Sequence, residues 1–144
     1  MSIRVMYLED ESGFRRHTKN LLLEEGFLVE DFMGIYQAKE YFSEHFNDID
    51  CIVADLNMSE KWLDEHELKA DGGGKSGWIF LTEFVYSKRP NLPTVIYSGM
   101  DSVVKEIRKE TPHNCIEFIL KGDIDDGGID GLIRAIKQVI QRGG

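Results

Sequence analysis

Short runs of β-branched and aromatic residues alternate along the chain with longer stretches whose apolar positions recur every three or four residues. The short runs are Ile3 to Leu8, Phe27 to Phe32, Asp50 to Ala54, Thr94 to Ser98 and Cys115 to Leu120. Their length and largely apolar character predict strands buried on both faces of a sheet. Between them, Phe14, His17, Leu21 and Leu22 mark one helical stripe, Ala38, Tyr41, Phe42 and Phe46 a second, and Trp78, Leu81, Phe84 and Val85 a third. Val103, Val104 and Ile107 support a shorter fourth helix, and Leu132, Ile133, Ile136, Val139 and Ile140 a fifth. Strand followed by helix, repeated along the whole chain, predicts an α/β domain: a parallel sheet with helices on both faces, joined by right-handed crossovers.

Local chemistry marks the boundaries. Ser12 is placed to cap the first helix, Glu25-Gly26 to close it, and Pro90 and Pro93 to bracket the loop into the fourth strand. The strand-helix unit is the only internal repeat, and Gly72-Gly73-Gly74 is the one low-complexity stretch, inside the longest loop.

With 144 residues the chain is long enough to bury a full core without disulfides, and it reads as one domain spanning 1–144. No apolar run approaches the length of a membrane span, and the N-terminus lacks the pattern of a secretory signal, so a cytoplasmic location is expected. Cys51 and Cys115 each open an apolar run, which suits small buried thiols. A net charge of -9 excludes a domain that grips nucleic acid by its own surface, because phosphate contacts need clustered Lys and Arg. His17, His45, His66 and His113 show no metal-ligand spacing, and Trp62 and Trp78 are expected to pack.

The chemistry lies at the strand ends. In a parallel sheet all C-terminal ends open on one crevice, where residues distant in sequence meet around a ligand. Those ends carry Glu9, Asp10 and Glu11 after the first strand, Asp55 after the third, Ser98 after the fourth and Lys121 after the fifth. Two carboxylates about 5 Å apart repel by roughly 3 kcal/mol at an effective dielectric near 20, so such a cluster calls for a cation or raised pKa values. Hard oxygen donors suit Mg²⁺. An ionised Asp55 would then act as nucleophile in phosphoryl transfer, two of the three acids would hold the metal, and Ser98 and Lys121 would meet phosphoryl oxygens.

In this order and spacing the chain resembles the receiver domain of bacterial response regulators, nearly throughout. The resemblance implies a flavodoxin-like (βα)5 sandwich, doubly wound, with strand order 2-1-3-4-5. It is carried by Glu9 and Asp10 in Tyr7-Leu8-Glu9-Asp10-Glu11, by Asp55 in Val53-Ala54-Asp55-Leu56-Asn57, by Ser98 in Ile96-Tyr97-Ser98-Gly99, and by Lys121 in Phe118-Ile119-Leu120-Lys121. It implies that Asp55 is the phosphoacceptor, that Asp10 ligates Mg²⁺ directly and Glu9 through water, and that Asp55 and the Asn57 backbone carbonyl complete the metal set. It also implies that Ser98 is the switch hydroxyl and Phe118 the switch aromatic. The implied partners are a sensor histidine kinase or histidine phosphotransfer protein as donor and a downstream protein effector. A second copy is a further candidate, through the face of helix 4, strand 5 and helix 5. A receiver of this kind catalyses only its own phosphorylation and dephosphorylation.

The chain departs from the family in three places. Ser59 to Ser76 is inserted after the phosphoacceptor, where receivers have a short turn; a partly ordered lid or partner-contact loop is expected there. Gly72-Gly73-Gly74-Lys75-Ser76 is not a nucleotide loop, because that pattern needs Gly where Lys69 stands. Gly122 follows Lys121 where the family commonly has proline, and Glu9 lengthens one acid of the usual pair. Two rival readings remain at this point. One is a phosphorylation-independent pseudo-receiver that binds proteins. The other is a phosphohydrolase of the haloacid dehalogenase type, whose second acid would stand at Asn57 and is missing.

Overall fold

Strands buried on both faces need apolar cover on both sides, and the computed structural model supplies it for the three central strands, whereas the edge strands Leu28–Phe32 and Ile116–Leu120 are only partly buried. The structure describes residues 2–56, 58, 76–99, 101–121 and 128–143. Strands β1 (Arg4–Leu8), β2 (Leu28–Phe32), β3 (Cys51–Ala54), β4 (Thr94–Ser98) and β5 (Ile116–Leu120) form one sheet in the order β2-β1-β3-β4-β5, with every pairing parallel. The strand order reverses between β1 and β3, which is where such sheets open a crevice. This is the doubly wound, flavodoxin-like order expected above.

The helices are α1 (Ser12–Glu24), α2 (Ile35–His45), α3 running from Ser76 to Lys88, α4 (Asp101–Ile107, continued by the 3-10 turn Arg108–Glu110) and α5 (Gly128–Gly143). Alternation along the strands sorts the side chains into two cores. Met6, Leu8, Ile52, Ala54, Ile96 and Phe118 face α2, α3 and α4. Val5, Tyr7, Val53, Val95 and Tyr97 face Leu22 of α1 and Leu132, Ile136 and Val139 of α5. Fully burying one such side chain contributes about 1.5–3 kcal/mol, whereas an exposed ion pair contributes about 0–1 kcal/mol. The two cores therefore hold the strand ends in place.

Four strands begin one residue later than the sequence pattern suggests, at Arg4, Leu28, Cys51 and Ile116. Phe27 is taken by the end of α1, where its N–H donates to Leu22 O, and Gly26 stands at φ 100°, a conformation glycine adopts without strain. Within α1, His17 is exposed and Thr18 is buried in its place. Ser12 does not cap this helix. Glu11 does, accepting the N–H groups of Gly13 at 3.1 Å and Phe14 through its two carboxylate oxygens. In α3 the turn Leu81–Val85 is π-helical, and Thr82 Oγ1 donates to Trp78 O at 3.0 Å, a bond that competes with the regular ladder. Asn57, Met100, Gly122, Trp62, His66 and the inserted segment up to Lys75 lie outside the described residues.

Candidate functional site

β1 and β3 deliver their carboxylates to the crevice because the sheet's own hydrogen bonds run past the strand ends. The Glu9 N–H donates to Phe32 O at 3.0 Å, the Asp55 N–H to Leu8 O at 3.0 Å, and the Lys121 N–H to Ser98 O at 2.9 Å. Glu9, Asp55 and Ser98 are thereby fixed in buried positions, 1%, 7% and 0% exposed, while Asp10 lies at the surface. One carboxylate oxygen from each of Glu9, Asp10 and Asp55 falls within 4.8 Å of the other two.

Lys121 is the counter-charge. Its Nζ bonds Asp55 Oδ2 at 2.9 Å and Glu9 Oε1. Burial alone would lower the Lys121 pKa, but Asp55 and Glu9 outweigh it and the pKa is raised. Glu9 is pushed up by burial, opposed by Lys121 and reinforced by the charge of Asp55. Asp10 is pushed up by burial and by Asp55. Among the described residues, three carboxylates face one ammonium, an excess of negative charge that a divalent cation would compensate. The donor set is all hard oxygen, which fits Mg²⁺. Glu9 has protein partners on both oxygens, since Oε2 also accepts the Glu11 N–H at 3.2 Å. That fits an indirect role for Glu9 toward a cation.

The structure thus brings together Glu9, Asp10, Asp55 and Lys121, with Ser98 at the adjoining strand end. Asn57 lies outside the described residues. Phe118 is buried in the core beneath the Arg108 guanidinium, whose centre lies 5.3 Å from the ring. Glu11 is not a third metal acid; it is committed to the α1 cap.

Several contributors have no obvious mark in the sequence. Arg15 Nη1 donates to Glu9 O at 3.0 Å and Nε to Asp31 Oδ2 at 3.1 Å, while Lys19 bonds Asp31 Oδ1 at 2.7 Å, tying α1 and β2 to the acid turn. The spacing of Arg15 and Lys19, one helical turn apart, is the signal that could have found this clamp. Ser76 Oγ accepts the Met58 N–H at 2.7 Å and lies 3.2 Å from Leu56 O and 3.0 Å from Met58 O, while the Gly77 N–H donates to Leu56 O at 2.8 Å. These bonds join the two ends of the insertion directly behind Asp55.

No family profile matches the sequence, and no curated protein matches it. Solved structures do. A response regulator receiver domain protein from Clostridium thermocellum shares 20% identity, with 98% of this chain and 96% of that chain covered and a TM-score of 0.76. The non-phosphorylated HemR receiver domain from Leptospira biflexa shares 19%, with 96% and 94% covered and a TM-score of 0.72. A CheY-like receiver domain protein from Methanospirillum hungatei JF-1 shares 16%, with 99% and 96% covered and a TM-score of 0.73. At these identities the likeness establishes the fold. Among the described residues, no helix is long and apolar enough to cross a membrane.

Proposed function

We propose that this chain, built on the receiver fold, is a phosphoacceptor of a two-component phosphorelay in which Asp55 takes a phosphoryl group from a phosphohistidine. The observation that carries the reading is the placement of buried Asp55 at the end of β3, 2.9 Å from the Lys121 ammonium and within 4.8 Å of two further carboxylate donors. A carboxylate oxygen of Asp55 attacks the phosphorus, an O–P bond forms as the P–N bond breaks, and the histidine nitrogen leaves with the electron pair. Lys121 follows the charge onto a phosphoryl oxygen, and the Ser98 hydroxyl donates to another. Asp10 and Asp55 would hold Mg²⁺ directly and Glu9 through water, and the ion would supply neutralisation of the phosphoryl oxygens.

The acyl phosphate carries a charge of roughly −2 at neutral pH. Drawing Ser98 toward it, with Phe118 as the switch aromatic, would change the face of α4, β5 and α5 offered to an effector or a second copy. The donor is a sensor kinase or a histidine phosphotransfer protein. In this reading the chain catalyses only its own phosphorylation and dephosphorylation. Intact-mass measurement after incubation with acetyl phosphate and Mg²⁺ tests the reading. One phosphoryl group on the parent and none on Asp55→Ala supports it, and an unmodified parent of native fold contradicts it.

A further inference from the structure

The Lys121 ammonium has neighbours that the phosphoryl chemistry leaves unexplained. Besides its carboxylate partners, Nζ lies 4.6 Å from the centre of the Phe14 ring and 6.0 Å from that of Tyr97. The two rings are packed against each other, 5.7 Å apart and tilted by 40°. A cation within about 6 Å of an aromatic face is attracted by the ring quadrupole, more strongly where water is excluded. The Lys121 side chain is only 18% exposed.

Both rings are held by elements that also build the acid site. Phe14 sits in the first turn of α1, and its own N–H donates to the Glu11 carboxylate, so the cap that orders this turn also places the ring. Tyr97 is in β4, next to Ser98, in the core between the sheet and α1 and α5. Gly122 follows Lys121 in sequence, so no proline ring restricts the backbone beyond it.

We infer that Phe14 and Tyr97 are positioning residues for Lys121, an aromatic clamp that holds the ammonium in register with Asp55 and so sets the rate of phosphoryl uptake. This rests on the function proposed above only for its kinetic consequence; the clamp itself is a statement about Lys121. Without it the lysine keeps its charge and its carboxylate partners but samples other rotamers, and the fraction of chains ready for transfer falls.

The test combines two readouts on Phe14→Leu, Phe14→Tyr and Tyr97→Leu, each checked for a cooperative thermal transition. The first is the NMR shift of the Lys121 ε-protons, which ring currents move upfield in the parent. Phe14→Leu removes most of that displacement, Tyr97→Leu a smaller part, and Phe14→Tyr restores it. The second is the rate of phosphorylation by acetyl phosphate with Mg²⁺. Phe14→Leu slows it by roughly three- to tenfold, the range expected for one cation–π contact, while Phe14→Tyr recovers it. Lys121 ε-protons without an upfield displacement in the parent overturn the clamp, whatever the activity. A displacement lost in a folded Phe14→Leu with no change in rate overturns the kinetic role. A parent that is never phosphorylated refutes the function proposed above, and the NMR result still decides the clamp.

Discussion

A β-carbon on Gly77 would stand 2.0 Å from the carbonyl oxygen of Asp55, closer than any real contact of that kind. The first turn of α3 is therefore pressed against the backbone of the candidate acceptor, and only a missing side chain permits it. Gly77→Ala forces one backbone away from the other. Overpacking of this sort costs about 1–3 kcal/mol, occasionally more. The upper end is expected here because the opposing atom is backbone. Urea unfolding measures it, and an unchanged midpoint would contradict the packing.

Glu11 distinguishes a cap from a metal ligand. Its carboxylate accepts two N–H groups at the start of α1, and losing a cap costs about 1 kcal/mol. Glu11→Ala should lower stability by about that amount while leaving the Mg²⁺ affinity measured by calorimetry within about twofold of the parent. Asp10→Asn should do the reverse, weakening Mg²⁺ binding strongly. A tenfold loss of Mg²⁺ affinity in Glu11→Ala would contradict the cap assignment and make Glu11 part of the metal site.

Removing Lys121 strands Glu9, whose carboxylate is almost completely buried. Breaking a buried pair by deleting one partner costs about 3–5 kcal/mol, to be reduced here because the lysine side chain is partly exposed. Lys121→Met is expected to lose about 2–3 kcal/mol without metal. Mg²⁺ should stabilise the variant more than the parent, since the divalent ion replaces the lost cation. Thermal shift with and without Mg²⁺ checks both halves.

The pH dependence has a definite sign. Glu9 and Asp10 titrate above their ordinary values of 4.5 and 3.8, so the folded chain binds more protons than the unfolded one. Their contribution is present below those ordinary values and is lost as pH rises through the raised ones. Asp31 is the opposite case. Burial would raise it, but Lys19 and Arg15 prevail, so its contribution is present above 3.8 and is lost as pH falls through its lowered value. Metal-free protein should therefore lose stability as pH is raised from below the ordinary carboxylate values through the raised ones. Mg²⁺ should remove that decline and Glu9→Gln should shrink it. Urea midpoints across pH provide the test.

Much of this site was legible because strand ends in a parallel sheet share one edge. Once the strands were placed, Glu9, Asp10, Asp55, Ser98 and Lys121 followed by position, and errors of one residue at strand starts did not disturb the ends. What could not be read has physical reasons. An acid beside Asp10 serves equally as ligand or as cap, and only backbone geometry assigns Glu11. The Lys121, Phe14 and Tyr97 contact joins three segments through ring faces, which leave no periodic trace. Ser76 reads as part of a glycine-rich loop, yet its hydroxyl closes that loop on Met58. The π turn in α3 was hidden because the stripe of Trp78, Leu81, Phe84 and Val85 is compatible with an ordinary helix, and one widened turn leaves no separate mark in it.

The central claim is that the phosphoryl group goes to one carboxylate, and locating it chemically is the most direct measurement. An acyl phosphate on aspartate is reduced by borohydride to homoserine, which peptide mass spectrometry can place. After treatment with acetyl phosphate and Mg²⁺, homoserine at position 55, absent when either reagent is withheld, is the predicted result. An acid-stable phosphate on Ser98, or folded protein that carries no modification at all, would contradict it.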